Sequence, residues 1–179
     1  MEVKEAIEER RSIRKFKNQS ISKEIIEDIL NCGRLAPSAK NRQNWYFSVL
    51  KDNAKNKVAD LMLEYEKNAN LYQSSIKSTA NIIKQAPILI VIFKEKDKDW
   101  TIGDNLSLGA CVENMCLRAT ELEIGSLWIR DVIYVETEVK QMLNHSDMEL
   151  SCALSLGLKD QDPKQRPRKD LTSITEWYE

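Results

Sequence analysis

The most constraining feature of the sequence is a run of six consecutive apolar residues, Ile88-Leu89-Ile90-Val91-Ile92-Phe93. The run has the length of a β-strand and contains no polar residue to face water, so both faces of the strand must be covered. We therefore predict that it forms a central strand. It is much shorter than the roughly 20 residues that cross a bilayer, and no membrane span is expected.

The remaining segments predict a mixture of helices and strands. Ser22 is a natural N-cap for a helix that Pro37 cannot continue. Other helices are indicated by apolar residues at helical spacing, and strands by short apolar or aromatic runs. The predicted helices cover residues 2 to 10, 58 to 65 and 136 to 143, and the predicted strands cover residues 45 to 50, 126 to 129 and 152 to 158.

A long helix is predicted from about Asp104 to Ile124, with Gly125 as its C-cap. Apolar residues lie almost all round this helix, so it needs cover from its own domain or from a partner subunit. The C-terminal arm, residues 159–179, is polar but ends in Trp177-Tyr178. An arm of this kind is either frayed or laid on another surface. Together the helix and the arm predict an intertwined homodimer, with the arm packed on the partner subunit.

Length and charge limit the class of protein. The chain has 179 residues, which suits a single domain over residues 1–179 with its own core. Its 27 basic and 28 acidic residues nearly cancel, so no overall field favours nucleic acid or an anionic membrane. The first residues lack the apolar stretch of a signal peptide. We expect a soluble cytoplasmic protein with no nucleic-acid or membrane partner.

The inventory of reactive residues excludes several kinds of site. His145 is the only histidine, which rules out His-rich metal sites, and we interpret it as an exposed residue in a polar turn. The four cysteines form no Cys-x-x-Cys pair and are interpreted as reduced core residues. The five glycines stand alone, so no glycine-rich phosphate loop exists. Any bound phosphate must therefore be held by side chains.

Two dense basic clusters lie near opposite ends of the chain, Arg10-Arg11-Ser12-Ile13-Arg14-Lys15 and Arg166-Pro167-Arg168-Lys169. Such clusters are usually solvated faces, and a basic-armed nucleic-acid binder is an alternative interpretation. Arginines two residues apart also suit a dianionic phosphate, because each guanidinium can donate two parallel hydrogen bonds. These arginines are the candidate phosphate ligands.

A third polar segment, residues 36 to 45, lies between a predicted helix and a predicted strand. Its plain interpretation is a connecting loop. Its donors and acceptors at Ser38, Asn41, Gln43 and Asn44, beside the rigid backbone of Pro37, would also suit the edge of a polar heterocycle.

Four segments of the sequence together resemble the FMN-dependent nitroreductase family. They are the cluster at 10 to 16, the segment at 36 to 45, the segment from 104 to 129 that ends Gly-Ser-Leu-Trp-Ile, and Ser155-Leu156-Gly157 followed by Arg-Pro-Arg. The match runs in order over nearly the whole chain. The resemblance implies an α+β, nitroreductase-like fold with a mostly antiparallel central sheet wrapped by helices. It also implies an intertwined homodimer with FMN at the subunit interface.

The resemblance further implies which residues contact FMN. The residues Arg10, Arg11, Ser12 and Arg14 would meet the phosphate, ribityl chain and pyrimidine edge, and the late pair Arg166 and Arg168 would meet the phosphate. The opposite subunit would lay the 37 to 43 segment against the flavin. The backbone of Ile129 and Arg130 would lie near flavin N5, and Asn81 is a further possible contact with the ring edge. No catalytic side chain and no metal are implied. The implied cofactor contacts are Arg10, Arg11, Ser12, Arg14, Pro37, Ser38, Ala39, Asn41, Gln43, Trp128, Ile129, Arg130, Arg166 and Arg168.

The activity implied by the resemblance is FMN-dependent NAD(P)H oxidoreduction. NADH or NADPH would reduce FMN and leave, and a nitroaromatic, a quinone or a related electron-poor acceptor would follow in a ping-pong cycle through N5. An FMN-binding or sequestering protein without significant turnover is the alternative. Asn44 stands where many members have proline, and Arg130 replaces a frequent glycine. The chain is also short for the family, and the acceptor stays open.

Overall fold

The computed structural model describes residues 1–179 and contains one antiparallel sheet of four strands, in the order β1-β2-β4-β3. Six helices surround the sheet, and 3-10 turns occur at Ala39–Asn41, Asp131–Val135 and Leu171–Ser173. The helices are α1 (Val3–Glu9), α2 (Lys23–Arg34), α3 (Asp52–Asn68), α4 (Gln73–Gln85), α5 (Thr101–Glu121) and α6 (Glu136–Leu143), and the strands are β1 (Trp45–Lys51), β2 (Ile88–Glu95), β3 (Ile124–Ile129) and β4 (Met148–Leu158).

The apolar run forms strand β2, which pairs with β1 on one side and β4 on the other, so the predicted central strand is confirmed. Its side chains alternate between two cores, as the pleat of a strand requires. Leu89 and Val91 face a core that includes residues of α3 and α4, and Ile90 and Ile92 face a core that includes residues of α2 and α5. Burial of each such side chain contributes about 1.5–3 kcal/mol. The α+β fold class predicted from the sequence is confirmed.

Helix α5 packs against α2 and the sheet, but it is not covered all round. Cys111, Val112 and Met115 are buried, whereas Ile102 and Leu106 are 78% and 72% exposed. The predicted C-cap is wrong. The helix ends at Glu121, and Glu123 makes the left-handed turn with a φ of 58°. Gly125 lies in strand β3.

The ends of the chain carry few buried residues. In α1 only Ala6 is buried, and Val3 and Ile7 are exposed. The arm at 159–179 contains no helix or strand beyond the short turn at Leu171–Ser173, and Trp177 is 89% exposed. None of the six helices combines the length and the apolar character that a membrane crossing requires.

Candidate functional site

The first basic cluster follows α1 in an extended stretch that is fixed against strand β3. Ser12 forms a parallel bridge with Ser126, and the backbone N–H of Ile13 donates to the Ser126 carbonyl at 2.8 Å. Ile13 is buried and anchors the stretch in the core. Neighbouring side chains of an extended stretch point to opposite sides, so Arg14, directly after Ile13, remains exposed.

The second basic cluster reaches the first because the chain beyond β4 pairs with residues 15 to 17. Phe16 forms an antiparallel bridge with Lys159, and the Asp160 N–H donates to the Lys15 carbonyl at 3.1 Å. The arm then lines one cavity of about 160 Å³ together with the first cluster. We call this cavity the arginine pocket, and its lining residues are Arg10, Arg11, Ser12, Arg14, Pro163, Lys164, Gln165, Arg166 and Arg168.

The arginine pocket carries an excess of positive charge. Only Arg10 forms an ion pair, between its Nε and Glu113 Oε1 at 3.3 Å. Arg14 and Arg168 each donate an Nη1 proton to a nearby backbone carbonyl, at 3.3 and 3.2 Å. No acidic residue lines the cavity. The pocket therefore favours an anion, because an anion would balance charge that the protein leaves uncompensated.

Arg11 provides an independent indication of a missing partner. Its Nη1 donates to the carbonyls of Glu8 and Arg10, at 2.6 and 2.9 Å, which holds the guanidinium in place. Its Nε is buried and has no hydrogen-bond partner. A buried donor without a partner costs about 1–3 kcal/mol, so a phosphate oxygen that accepted this N–H would relieve the cost. The residues present therefore fit a phosphate group.

The segment at 37 to 43 does not line the arginine pocket of the same chain. It forms a tight loop in which Lys40, Asn41 and Gln43 have positive φ, and the Gln43 N–H donates to Ser38 Oγ at 3.0 Å. Arg42 ties the loop to Asp97 and to the buried Asp104 at the start of α5, at 3.0 and 3.2 Å. Pro37, Ser38, Ala39, Asn41 and Gln43 thus stand apart from the predicted arginines within one chain.

The end of strand β3 lies apart from both the arginine pocket and the loop at 37 to 43. Ile129 is buried, Trp128 is 44% exposed, and Trp128 and Arg130 line a separate cavity of about 550 Å³ with residues of α5 and β4. Arg130 Nη1 donates to the Tyr134 hydroxyl at 3.0 Å, and the guanidinium stacks 5.4 Å from that ring. Asn81 is exposed on α4.

Sequence reasoning missed four residues near these positions. Pro163, Lys164 and Gln165 line the arginine pocket, and their only signal was their position directly before Arg166. Tyr134 holds Arg130 and lies four residues after it, a spacing at which side chains in helical turns meet.

The reactive side chains stand apart from the arginine pocket. Cys111, Cys116 and Cys152 are buried free thiols, and burial raises their pKa to about 12, 11 and 12. Their burial confirms the interpretation of these three as core residues, whereas Cys32, which was given the same interpretation, is a half-buried free thiol. His145 is half-buried, so its expected exposure was wrong. Its Nε2 lies 3.2 Å from Ser48 Oγ, and its ring packs against Phe93.

Comparison with known proteins places this chain in a family. A model of the Nitroreductase family matches residues 7–158. The Bacillus subtilis protein YfhC, named as an NAD(P)H nitroreductase, is 26% identical over 175 residues, which are 94% of this chain and 90% of YfhC. An Archaeoglobus fulgidus protein named as an NADH dehydrogenase/NAD(P)H nitroreductase is 33% identical over 123 residues. Those residues are 67% of this chain and 62% of that protein, so the chain spans less than two thirds of the archaeal relative.

A solved structure extends the similarity to the whole chain. It is a Desulfovibrio desulfuricans protein, described as a nitroreductase in complex with FMN, that superposes with a TM-score of 0.80 at 25% identity. The superposition covers 99% of this chain and 96% of that one. By its sequence and its fold, the chain belongs to the nitroreductase family.

Proposed function

We propose that this protein is an FMN-dependent NAD(P)H oxidoreductase that reduces nitroaromatics, quinones or related electron-poor small molecules. The observation that carries the proposal is the arginine pocket, in which two basic segments from opposite ends of the chain converge around an unpartnered Arg11 Nε. Relatives named as NAD(P)H nitroreductases and a structural neighbour that binds FMN support the same chemistry.

The arginine pocket holds the phosphate of FMN. Arg11, Arg166 and Arg168 supply guanidinium groups without carboxylate partners, and guanidinium donors match the oxygens of a phosphate in pairs. Arg10, fixed by Glu113, and Ser12 stand beside them for the ribityl chain. Riboflavin without its phosphate lacks these contacts, and the pocket therefore selects the phosphorylated cofactor.

The flavin ring is held by the end of β3 and by the loop at 37 to 43 of a second subunit. Within one chain that loop lies away from the arginine pocket, so a partner copy has to supply it. Apolar surface available for such a dimer includes Ile102 and Leu106 of α5 and the arm residues Trp177 and Tyr178. The protein is therefore a homodimer with two shared sites.

When bound, FMN would supply the redox chemistry, with NADH or NADPH as electron donor and an electron-poor small molecule as acceptor in ping-pong order. Arg14 places positive charge for the pyrimidine edge, where negative charge develops on reduction. The backbone of Ile129 and Arg130 would lie beside N5, and Trp128 would lie beside the ring. The chain provides binding, orientation and charge, and no side chain has to act as acid or nucleophile.

The first experiment is a visible spectrum of the purified protein before and after anaerobic addition of NADPH and then NADH. We expect a yellow protein that bleaches with at least one of the two donors. A yellow protein that does not bleach would instead identify an FMN-binding or sequestering protein. A colourless protein that fails to take up added FMN would refute the proposal.

Heterodimers of two variants test whether each FMN site is built from both subunits. Two variants, Arg166→Ala/Arg168→Ala and Ser38→Ala/Gln43→Ala, are co-expressed with different tags, and the heterodimer is isolated through both. If each site takes its arginines from one subunit and its loop from the other, one site of two is intact, and FMN content returns to about half of wild type. Sites within single subunits would all carry a defect, and no recovery would follow.

A further inference from the structure

A second cationic cavity lies where residues 17 to 21, the start of α3 and the end of α4 meet. Its volume is about 310 Å³, at the lower end of the about 300–1,000 Å³ typical of small-molecule pockets. It shares no residue with the arginine pocket. We call it the lysine cavity, and its charged lining residues are Lys17, Lys51, Asp52, Lys55 and Lys84.

Lys55 is the most unusual member of the lysine cavity, because it is only 5% exposed. Its Nζ donates to Asn56 Oδ1 and to the Lys84 carbonyl, both at 2.9 Å, and reaches no carboxylate. Burial lowers the pKa of Lys55, and Asp52 opposes that shift only in part. A buried ammonium without a counter-ion is costly, and evolution rarely keeps one unless it is paired.

The other lysines of the cavity add to this charge. Lys84 is paired with Asp60, at 2.6 Å, whereas Lys17 and Lys51 form no ion pair and are exposed. Asp52 is the only acidic residue that lines the cavity. Three ammonium groups, those of Lys17, Lys51 and Lys55, therefore form no ion pair at a cavity that a single carboxylate lines.

The start of α3 contributes further donors. Strand β1 ends at Lys51 and the 17-residue helix begins at once with Asp52, and the cap residue Lys51 makes no side-chain hydrogen bond to the first turn. The first N–H groups of a helix have no partner within it, and its N-terminus carries partial positive charge. Anions are favoured at such an end.

A structural role accounts for only part of these features. By donating to the Lys84 carbonyl, Lys55 caps the C-terminal end of α4, where lysines are favourable. The cap does not explain why Lys17 and Lys51 stand unpaired at the same cavity, or why the uncapped start of α3 opens there. The geometry points to an anion-binding site: we infer that the lysine cavity binds a phosphate-bearing small molecule, separately from the cofactor site.

The test is a calorimetric titration of FMN-saturated protein with pyrophosphate and with inorganic phosphate, at fixed ionic strength. We expect one pyrophosphate per chain. Lys17→Ala and Lys51→Ala each remove an exposed ammonium without disturbing the core, and each weakens binding about ten- to a hundredfold. The matched control is Lys57→Ala. It removes an exposed lysine of α3 that does not line the cavity, and it leaves the affinity unchanged.

A second comparison separates the two cationic cavities. Pyrophosphate binding persists in Arg168→Ala, because Arg168 lines only the arginine pocket. The inference is overturned if neither anion binds, if Lys57→Ala weakens binding as much as Lys51→Ala, or if Arg168→Ala abolishes binding while the lysine variants keep it. These outcomes do not depend on whether the protein turns over NADH or NADPH.

Discussion

Replacement of Arg168 by alanine tests the arginine pocket most directly. Arg168 is exposed, forms no ion pair, and donates only to the Arg166 carbonyl at 3.2 Å, so its loss changes the free energy of unfolding by no more than about 0.5 kcal/mol. A hydrogen bond to a charged group contributes about 1.5–3 kcal/mol. Since about 1.4 kcal/mol corresponds to a factor of ten, FMN affinity should fall about ten- to a hundredfold.

The assay is a fluorescence titration of the apoprotein with FMN and, separately, with riboflavin. Riboflavin lacks the phosphate, so its affinity should be the same for wild type and Arg168→Ala. Lys169→Ala is the matched control, because Lys169 is adjacent and exposed but does not line the pocket. The reasoning is refuted if Arg168→Ala leaves FMN affinity unchanged, or if it weakens riboflavin by the same factor.

Four further predictions concern strand β4 and helix α5. Gly157→Ala should lower stability by about 1–3 kcal/mol in thermal melts, because its Cβ would lie 2.7 Å from atoms of Phe16 and Pro87; an unchanged melting temperature would contradict this. Gly109→Ala, where the nearest atom is 3.9 Å away, should instead stabilise α5 by up to about 1 kcal/mol. Cys111→Ser should cost about 1–3 kcal/mol and leave turnover unchanged, and lost turnover in a folded variant would reveal thiol chemistry. Because burial raises the pKa of Cys111 to about 12, its thiolate is scarce near neutral pH, and iodoacetamide should not label it in the native protein.

Local signals in the sequence predicted most of the elements. The Ser22 side chain accepts a hydrogen bond from the Ile25 N–H and starts α2, as N-cap chemistry requires. The predicted helix at 136 to 143 coincides with α6, and the apolar run with most of β2. In each case a side chain or a periodic pattern within a few residues determines the structure, and no distant contact has to be known.

The sequence predictions fail where contacts between residues distant in the chain determine the structure. Gly125 was predicted as a C-cap because glycine favours left-handed turns, but Glu123 makes that turn. Gly125 is needed for close packing instead, because a Cβ there would lie 2.8 Å from Ile13 Cγ2. The lysine cavity was also missed, since its residues come from separate segments and α4 has little apolar signal before Ile76.

In the candidate site, too, local sequence signals predict some features, and contacts distant in the chain determine others. The chemistry of the arginines predicted both halves of the arginine pocket, but their meeting depends on the pairing of Phe16 with Lys159. That pairing joins residues far apart in the chain, and neither cluster carries a sign of it. The predicted loop at 37 to 43 lies elsewhere in the same chain, anchored to α5 by Arg42.

The size of the arginine pocket gives the strongest physical reason for a shared site. About 160 Å³ is well below the roughly 300–1,000 Å³ of pockets that enclose whole cofactors, so the pocket can hold the phosphate end but not the flavin ring. The ring needs a flat, partly apolar surface, and the exposed face of Trp128, which lies against Gly109 of α5, offers one side of it. In the proposed dimer, a second copy of the chain supplies the other face. The exposed Ile102 and Leu106 on the same helix would be buried by that contact, so dimerisation and cofactor binding should stabilise each other.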